Sequence, residues 1–113
     1  MTGLPENGWP FQCEVTPDGD SVAIRLHGEL DVATAPEVDA AFADVAARRV
    51  PVTLDLRGLT FMDSRGIRML VSFHEQALEG GFPLMVACGD QVRELLTMTG
   101  LDRHVTVVQL SAD

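Results

Sequence analysis

The segment LDLRGLTFMDSRGIRML, residues 54 to 70, carries the chain from a strand into a helix. Its first residues are apolar and typical of a buried strand, and a short turn is expected before Asp63 and Ser64. Ser64 would then stand where the next helix begins, beside unpaired backbone N–H groups and the partial positive charge of the helix N-terminus. A hydroxyl in that position either caps the helix or forms a phosphorylation site, because an added anion is tolerated there.

The length and composition predict one globular domain. A chain of 113 residues has no room for a second core, and its 46% apolar and 22% charged residues are ordinary for a soluble protein. Residues 1–10 contain two prolines, two glycines and Trp9, and are interpreted as an irregular arm. Residues 11–113 are interpreted as the folded domain.

The charge balance restricts the class of partner. Seventeen acidic residues oppose eight arginines and no lysine, which gives a net charge of −9. Such a protein is not expected to bind nucleic acid or an anionic membrane, whereas a basic protein surface would suit it. The sequence has no apolar run of the roughly 20 residues that span a bilayer and no signal-peptide pattern, so a cytoplasmic protein is expected.

The N-terminal half predicts a hairpin and a helix. Residues 11–16 and 21–27 alternate between apolar and polar side chains, and the segment 17–20, PDGD, is turn chemistry between two antiparallel strands. Thr34, followed by Pro36 and Glu37, predicts a helix that begins with a capping box.

The remaining elements alternate between strand and helix. Strands are predicted at 50–56, 83–88 and 105–110, and helices at 64–79 and from Gly89-Asp90 to Gly100. The inner face of the helix at 64–79 is predicted to comprise Ile67, Leu70, Val71, Ala77 and Leu78. Right-handed crossovers then imply an α/β fold: a mixed, mostly parallel sheet with an N-terminal hairpin and helices packed against it.

Four neighbouring residues favour the phosphorylation interpretation of Ser64 over a simple cap. Gly66 is a poor helix former and is expected to remove bulk near the hydroxyl. Arg65 and Arg68 supply positive charge that suits a phosphate. Asp63 adds a negative charge, so phosphorylation would concentrate anionic charge on one small patch.

Other chemistry has little support in the sequence. There is no GxSxG nucleophile elbow, no Walker A motif and no GxGxxG motif, so neither a hydrolase nor a dedicated nucleotide site is predicted. His27, His74 and His104 fall in three separate elements without metal-ligand spacing. Cys13 and Cys88 are expected to be reduced thiols in or near the core. The chain is therefore expected to be a binding protein without catalytic activity, cofactor or metal.

Three segments together resemble the STAS domain of bacterial anti-sigma-factor antagonists. The first is the segment quoted above, with its strand, its FMDS sequence, its glycine and its apolar helix. The second, GELDVATAP at 28–36, resembles the family's loop between the second strand and the first helix. The third, VRELLTMTGLDRHVTV at 92–107, resembles its last helix and strand.

The resemblance implies a phosphorylation switch at Ser64. In such antagonists the serine after the motif aspartate is the phosphoacceptor, and the unphosphorylated form binds an anti-sigma factor and so releases a sigma factor. That anti-sigma factor is a serine kinase of the histidine-kinase-like ATPase fold, and a metal-dependent phosphatase reverses the modification. The residues expected to contact the partner are Glu29, Asp31, Asp63, Arg65, Gly66 and Arg68.

One departure and two alternatives accompany this interpretation. Many relatives carry Ser or Thr where this chain has Arg65, which is interpreted as an altered kinase preference. The first alternative is an interaction scaffold of the same fold that is never phosphorylated, in which Ser64 is only a cap. The second, less favoured, is a small-ligand or nucleotide-binding module.

Overall fold

The computed structural model describes residues 11–100, Arg103 and residues 106–108; the arm predicted at 1–10, with Trp9, lies outside them. Within the described residues, five strands and three helices are present, and they alternate after an initial hairpin. In chain order they are β1 (Gln12–Asp18), β2 (Ser21–Leu30), α1 (Ala35–Arg48), β3 (Val52–Met62), α2 (Ser64–Gly80), β4 (Leu84–Ala87), α3 (Asp90–Thr99) and β5 (Thr106–Val108).

The strands form one sheet in the order β1-β2-β3-β4-β5. β1 is antiparallel to β2, and all other pairs are parallel. The predicted mixed sheet with an N-terminal hairpin is therefore confirmed. The hairpin turn is tighter than predicted, because pairing continues through Pro17 and Asp18 and only Gly19 and Asp20 connect the strands.

The helices and the sheet enclose one apolar core. Each crossover moves the chain to the next strand in the same direction, so right-handed connections place the three helices on one face of the sheet. Ile24 and Leu54, from paired positions of β2 and β3, are completely buried there. Phe42 of α1 stacks on Phe73 of α2 with ring centroids 4.2 Å apart. Within the described residues, no helix has the length and apolar character needed to cross a bilayer.

β3 is longer than the sequence indicated, because the turn predicted before Asp63 is strand. Its pairing with β2 slips twice: Arg25 and His27 pair with Asp55 and Gly58, and the adjacent residues Gly28 and Glu29 pair with Leu59 and Phe61. Each slip inserts one extra residue into β3, as in a β-bulge. The bulges interrupt the alternation of apolar and polar residues and make this part of the strand resemble a turn.

α2 buries a different stripe from the one predicted. Leu70 and Ala77 are buried as expected, but Val71 and Leu78 are exposed, Leu78 by 69%. The stripe instead follows Gly66, Met69, Leu70, Phe73 and Ala77. Val71 and Leu78 directly follow the buried residues Leu70 and Ala77. One position along a helix rotates the side chain by about 100°, so Val71 and Leu78 point away from the core.

The face of the sheet turned away from the helices holds an ion cluster around Asp55, which is only 7% exposed. Arg57 donates from Nε to Oδ1 at 3.0 Å and from Nη2 to Oδ2 at 2.9 Å. Arg25 lies on the neighbouring strand with its Nε 3.5 Å from Oδ2. The hydrogen bonds from Arg57 outweigh the effect of burial and hold the pKa of Asp55 below its ordinary value.

Both cysteines are free thiols. Burial, with a smaller contribution from the charge of Glu37, raises the pKa of Cys13 to about 11. Burial also raises the pKa of Cys88. Both side chains are therefore protonated and weakly nucleophilic at neutral pH, in agreement with the prediction of structural thiols.

The Asp55 cluster should make the free energy of unfolding decrease as the pH falls in the acid range. Replacing Asp55 by Asn should lower the free energy of unfolding at pH 7 by about 2 kcal/mol, because charge-assisted hydrogen bonds are lost. The native pKa lies below the unfolded value of about 3.9, so this contribution is present above that pH and declines as the pH falls through the native pKa. Urea denaturation at several pH values should show the two proteins converging in acid.

Asp44→Asn is the matched control for Asp55→Asn. Asp44 forms an exposed pair with Arg48, and such pairs contribute about 0–1 kcal/mol. Equal effects of the two substitutions at every pH would contradict a special role for Asp55.

Candidate functional site

The parallel pairing of β2 and β3 brings the two predicted site segments to the same edge of the sheet. Leu30 pairs with Met62 at the carboxyl ends of the strands. Just beyond them, the Asp63 N–H donates to the Leu30 carbonyl at 3.3 Å. The loop that follows β2, with Asp31, therefore begins beside the start of α2, with Ser64.

Asp63 is the N-terminal cap of α2. Its backbone is extended, and its Oδ1 accepts from the N–H groups of Arg65 at 3.0 Å and Gly66 at 3.2 Å. The Asp63 carbonyl accepts the N–H of Ile67 at 3.2 Å. One carboxylate thus satisfies two N–H groups that the first turn leaves unpaired, and its charge suits the positive end of the helix.

Ser64 is the first residue of the helix, and its side chain is exposed. Among the described residues its Oγ has no hydrogen-bond partner. The cap that the sequence allowed for Ser64 is therefore supplied by Asp63. The hydroxyl has no structural task in the described part of the chain and faces solvent.

Two arginines lie in the first turns of α2. Arg65 and Arg68 are both exposed. Within residues 11–100 and Arg103, neither forms an ion pair with a carboxylate. Both guanidinium groups are therefore available to an anion.

Gly66 has a different role from the one predicted. It is buried, and a Cβ there would lie 2.5 Å from Met62 Cγ and 3.1 Å from Leu30 Cδ2. The missing side chain lets α2 approach the ends of β2 and β3; it does not open space around the hydroxyl. Gly66 therefore positions Ser64 from below and lies beneath the surface that a partner would touch.

The two acidic residues predicted as partner contacts at the end of β2, Asp31 and Glu29, differ in exposure and bonding. Asp31 is partly buried, and its Oδ1 accepts from the N–H groups of Ala33 at 3.0 Å and Thr34 at 3.2 Å. Glu29 is exposed at the end of β2. Asp31 therefore maintains the shape of the loop, whereas the Glu29 carboxylate is available at the surface.

The capping box predicted for α1 is wrong. Thr34 occupies the cap position but makes no side-chain cap hydrogen bond. Its hydroxyl turns back into the loop, where it donates to the Glu29 carbonyl at 2.9 Å and accepts the Asp31 N–H at 3.0 Å. The hydroxyl thus stabilises the loop beside Ser64 at the expense of the helix cap.

Sequence reasoning missed two exposed apolar side chains at this edge. Phe61 is 51% exposed and Val32 is 67% exposed. Phe61 pairs with Glu29, one residue before the buried pair Leu30–Met62. Because successive side chains of a strand point to opposite faces, Phe61 and Glu29 point to the face of the sheet away from the helices. The only sequence signal was the phenylalanine directly before the Met-Asp-Ser motif, and the bulges in β3 hid its orientation.

The described residues at this edge form no metal-binding group. Among the described residues, no three His, Cys, Asp or Glu side chains come together in a group that could hold a metal ion. The polar groups present are one free hydroxyl, two guanidinium groups and carboxylates, a set suited to binding a protein surface.

A family model, the STAS domain, matches residues 12–113. The chain belongs to the STAS domain family. The match starts with β1 and includes every element described above, so the family resemblance predicted from three segments is confirmed.

Solved structures with the STAS fold show the same architecture. An anti-sigma factor antagonist from Mycobacterium paratuberculosis is 26% identical, with a TM-score of 0.75 over 87% of this chain and 85% of that one. The anti-sigma factor antagonist SpoIIAA in its unphosphorylated form is 18% identical, with a TM-score of 0.70 over 90% of both chains. The Bacillus cell fate determinant SpoIIAA in the phosphorylated form is 20% identical, with a TM-score of 0.70 over 91% and 93%.

The different tasks of Asp63 and Ser64 in this STAS domain can be measured as stability. Asp63→Ala should lower the free energy of unfolding by about 1 kcal/mol, because the helix loses its cap. Ser64→Ala should change it by less than about 0.5 kcal/mol, because the hydroxyl is exposed and unbonded. Urea denaturation of both variants tests this, and a 1 kcal/mol loss in Ser64→Ala would show that the hydroxyl is a cap after all.

Proposed function

We propose that this STAS domain is an anti-sigma-factor antagonist that acts by binding and is switched off by phosphorylation of Ser64. The observation that carries the proposal is the free, exposed Ser64 hydroxyl at a helix whose cap is supplied by Asp63. The 26% identical antagonist of the same fold supports the general role. The domain performs no catalysis of its own in this proposal.

The proposed partner is an anti-sigma factor that is also a serine kinase of the histidine-kinase-like ATPase fold, met in the cytoplasm. Its active site would transfer the γ-phosphoryl group of ATP to Ser64 Oγ, with loss of the hydroxyl proton and release of ADP. A metal-dependent serine phosphatase would remove the group by hydrolysis. Binding of the unphosphorylated domain would release a sigma factor.

Electrostatics explain how one phosphate could end binding while the fold survives. The phosphate adds about −1.5 to −2 charges at neutral pH. At the first position of α2 it gains about 0.3–1 kcal/mol from the helix dipole, and the Asp63 cap stays in place. At an interface the same charge, desolvated or set against acidic groups, costs several kcal/mol. The effect therefore falls on the complex.

The proposed contact surface consists of Ser64, Arg65, Arg68, Glu29, Phe61 and Val32, and is called the switch surface below. It includes the exposed apolar side chains of Phe61 and Val32 and the exposed charged side chains of Glu29, Arg65 and Arg68. Apolar groups at the centre and polar groups at the rim are the usual composition of protein interfaces. Asp31, Asp63 and Gly66, which were predicted as contacts, would act by holding this surface in shape.

Phosphorylation is tested with wild-type protein and the variants Ser64→Ala, Ser64→Asp and Ser72→Ala. Ser72 is the matched control because it is another exposed serine of α2. After incubation with the candidate kinase and ATP, intact mass should show one phosphate on wild type and Ser72→Ala and none on Ser64→Ala. Binding should persist in Ser64→Ala and weaken in Ser64→Asp. Tight binding by Ser64→Asp together with no phosphate on wild type would favour the unphosphorylated scaffold.

The switch surface predicts an apolar anchor at Phe61. Truncation of a central aromatic contact removes more than 1.4 kcal/mol in many interfaces, so Phe61→Ala should weaken binding of the anti-sigma factor about tenfold or more. Leu78→Ala is the matched control: it removes a still more exposed apolar side chain about 21 Å along α2 from Ser64. Calorimetric titration measures both, and equal affinities for the two variants would exclude Phe61 as an anchor.

A further inference from the structure

Ser64 and Arg68 occupy positions i and i+4 of α2. Residues four apart lie on the same side of a helix, with Cβ atoms about 5–6 Å apart, whereas residues one apart diverge. Helical side chains lean toward the N-terminus, so the long Arg68 side chain extends back toward a group attached to Ser64 Oγ, whereas Arg65 diverges from it. The two arginines carry the same charge in the same turn of helix, but only Arg68 faces the acceptor.

The protein already contains an ion pair of this geometry. In α1, Asp44 and Arg48 are also four residues apart, with the anion toward the N-terminus, and Arg48 Nη2 lies 2.8 Å from Asp44 Oδ2. Phosphorylated Ser64 and Arg68 would have the same spacing and direction, with a more highly charged anion. An arginine in this position therefore reaches its partner without distortion of the helix.

Arg68 has no such partner while Ser64 is unmodified. Its carboxylate neighbours at this edge are committed elsewhere: Asp63 accepts from two N–H groups of α2, and Asp31 accepts from two N–H groups of its own loop. Glu29 is exposed on the neighbouring strand, and no ion pair joins it to Arg68. Among the described residues, the guanidinium is exposed and unpaired.

We propose that Arg68 is the residue through which the Ser64 phosphate acts on binding, an inference that rests on the proposed function. In the unmodified domain Arg68 contacts an acidic group of the anti-sigma factor. In the phosphorylated domain Arg68 instead forms an ion pair with the phosphate on Ser64 of the same helix. The partner then loses its cationic contact and meets a net negative surface in its place.

The ion pair itself can be tested without any partner. Protein carrying phosphoserine at position 64 is prepared by genetic encoding, and its phosphate is titrated by ³¹P NMR. Arg68→Gln should raise the midpoint of the phosphate titration by about 0.3 pH unit, from the usual strength of such helical pairs. In Arg68→Lys the midpoint should stay close to the wild-type value, because the positive charge is kept. In 1 M salt the difference between wild type and Arg68→Gln should disappear, because salt screens the pair.

Arg65→Gln is the matched control, because it removes an equal charge from the same turn at a position that faces away from Ser64. Its titration midpoint should move by clearly less than that of Arg68→Gln. Equal shifts for the two variants would show a general charge effect and overturn the specific pair.

The effect on the partner is tested by a cycle of four affinities, with and without the phosphate, in wild type and Arg68→Gln, using the anti-sigma factor kinase that modifies Ser64. Arg68→Gln should weaken binding of the unphosphorylated domain about tenfold, and phosphorylation should then weaken it by a smaller factor than in wild type. If the phosphate lowers both affinities by the same factor, the role of Arg68 is overturned and the proposed function stands. If the phosphate leaves wild-type affinity unchanged, the proposed function itself fails.

Discussion

The contact of Gly66 with Leu30 and Met62 fixes the edge on which the switch surface depends. The two apolar side chains end neighbouring parallel strands, and α2 can begin directly above them only because residue 66 has no Cβ. The backbone hydrogen bond from Asp63 to Leu30 joins the start of the helix to β2. Ser64 is therefore held by buried packing on one side while its hydroxyl faces solvent on the other.

This arrangement separates stability from regulation between adjacent residues. Asp63 satisfies the N–H groups of the first turn, so Ser64 is free of the task that most helix-initial hydroxyls perform. A modification at Ser64 consequently leaves the cap and the core contacts intact. The same division recurs in the loop after β2, where Asp31 and Thr34 stabilise the backbone and leave Glu29 exposed.

The sequence predicted the features that depend on local chemistry and periodicity. The mixed sheet, the hairpin and the start of α2 at Ser64 follow from turn residues and apolar spacing. The orientation of Phe61 could not be predicted, because it depends on two slips between β2 and β3 that arise only when the strands pair. Gly66 was recognised as special, but its reason, a close approach to residues of two other strands, is a tertiary contact. The buried face of α2 was predicted to include Val71 and Leu78 because they are apolar, but both are exposed and only their neighbours Leu70 and Ala77 are buried.

The distribution of arginines shows why binding at this edge should be local and sensitive to salt. The chain carries a net charge of −9, so its long-range field repels an acidic partner. Two of its eight arginines, Arg25 and Arg57, are held by Asp55 on the outer face of the sheet. Arg65 and Arg68 are unpaired among the described residues and lie beside the Ser64 hydroxyl. Since exposed charges are screened beyond about 8 Å at physiological ionic strength, an acidic group can be attracted at this edge only once it is close. A phosphate at Ser64 lies within that distance, so a single modification can offset the positive charge that Arg65 and Arg68 present to such a partner.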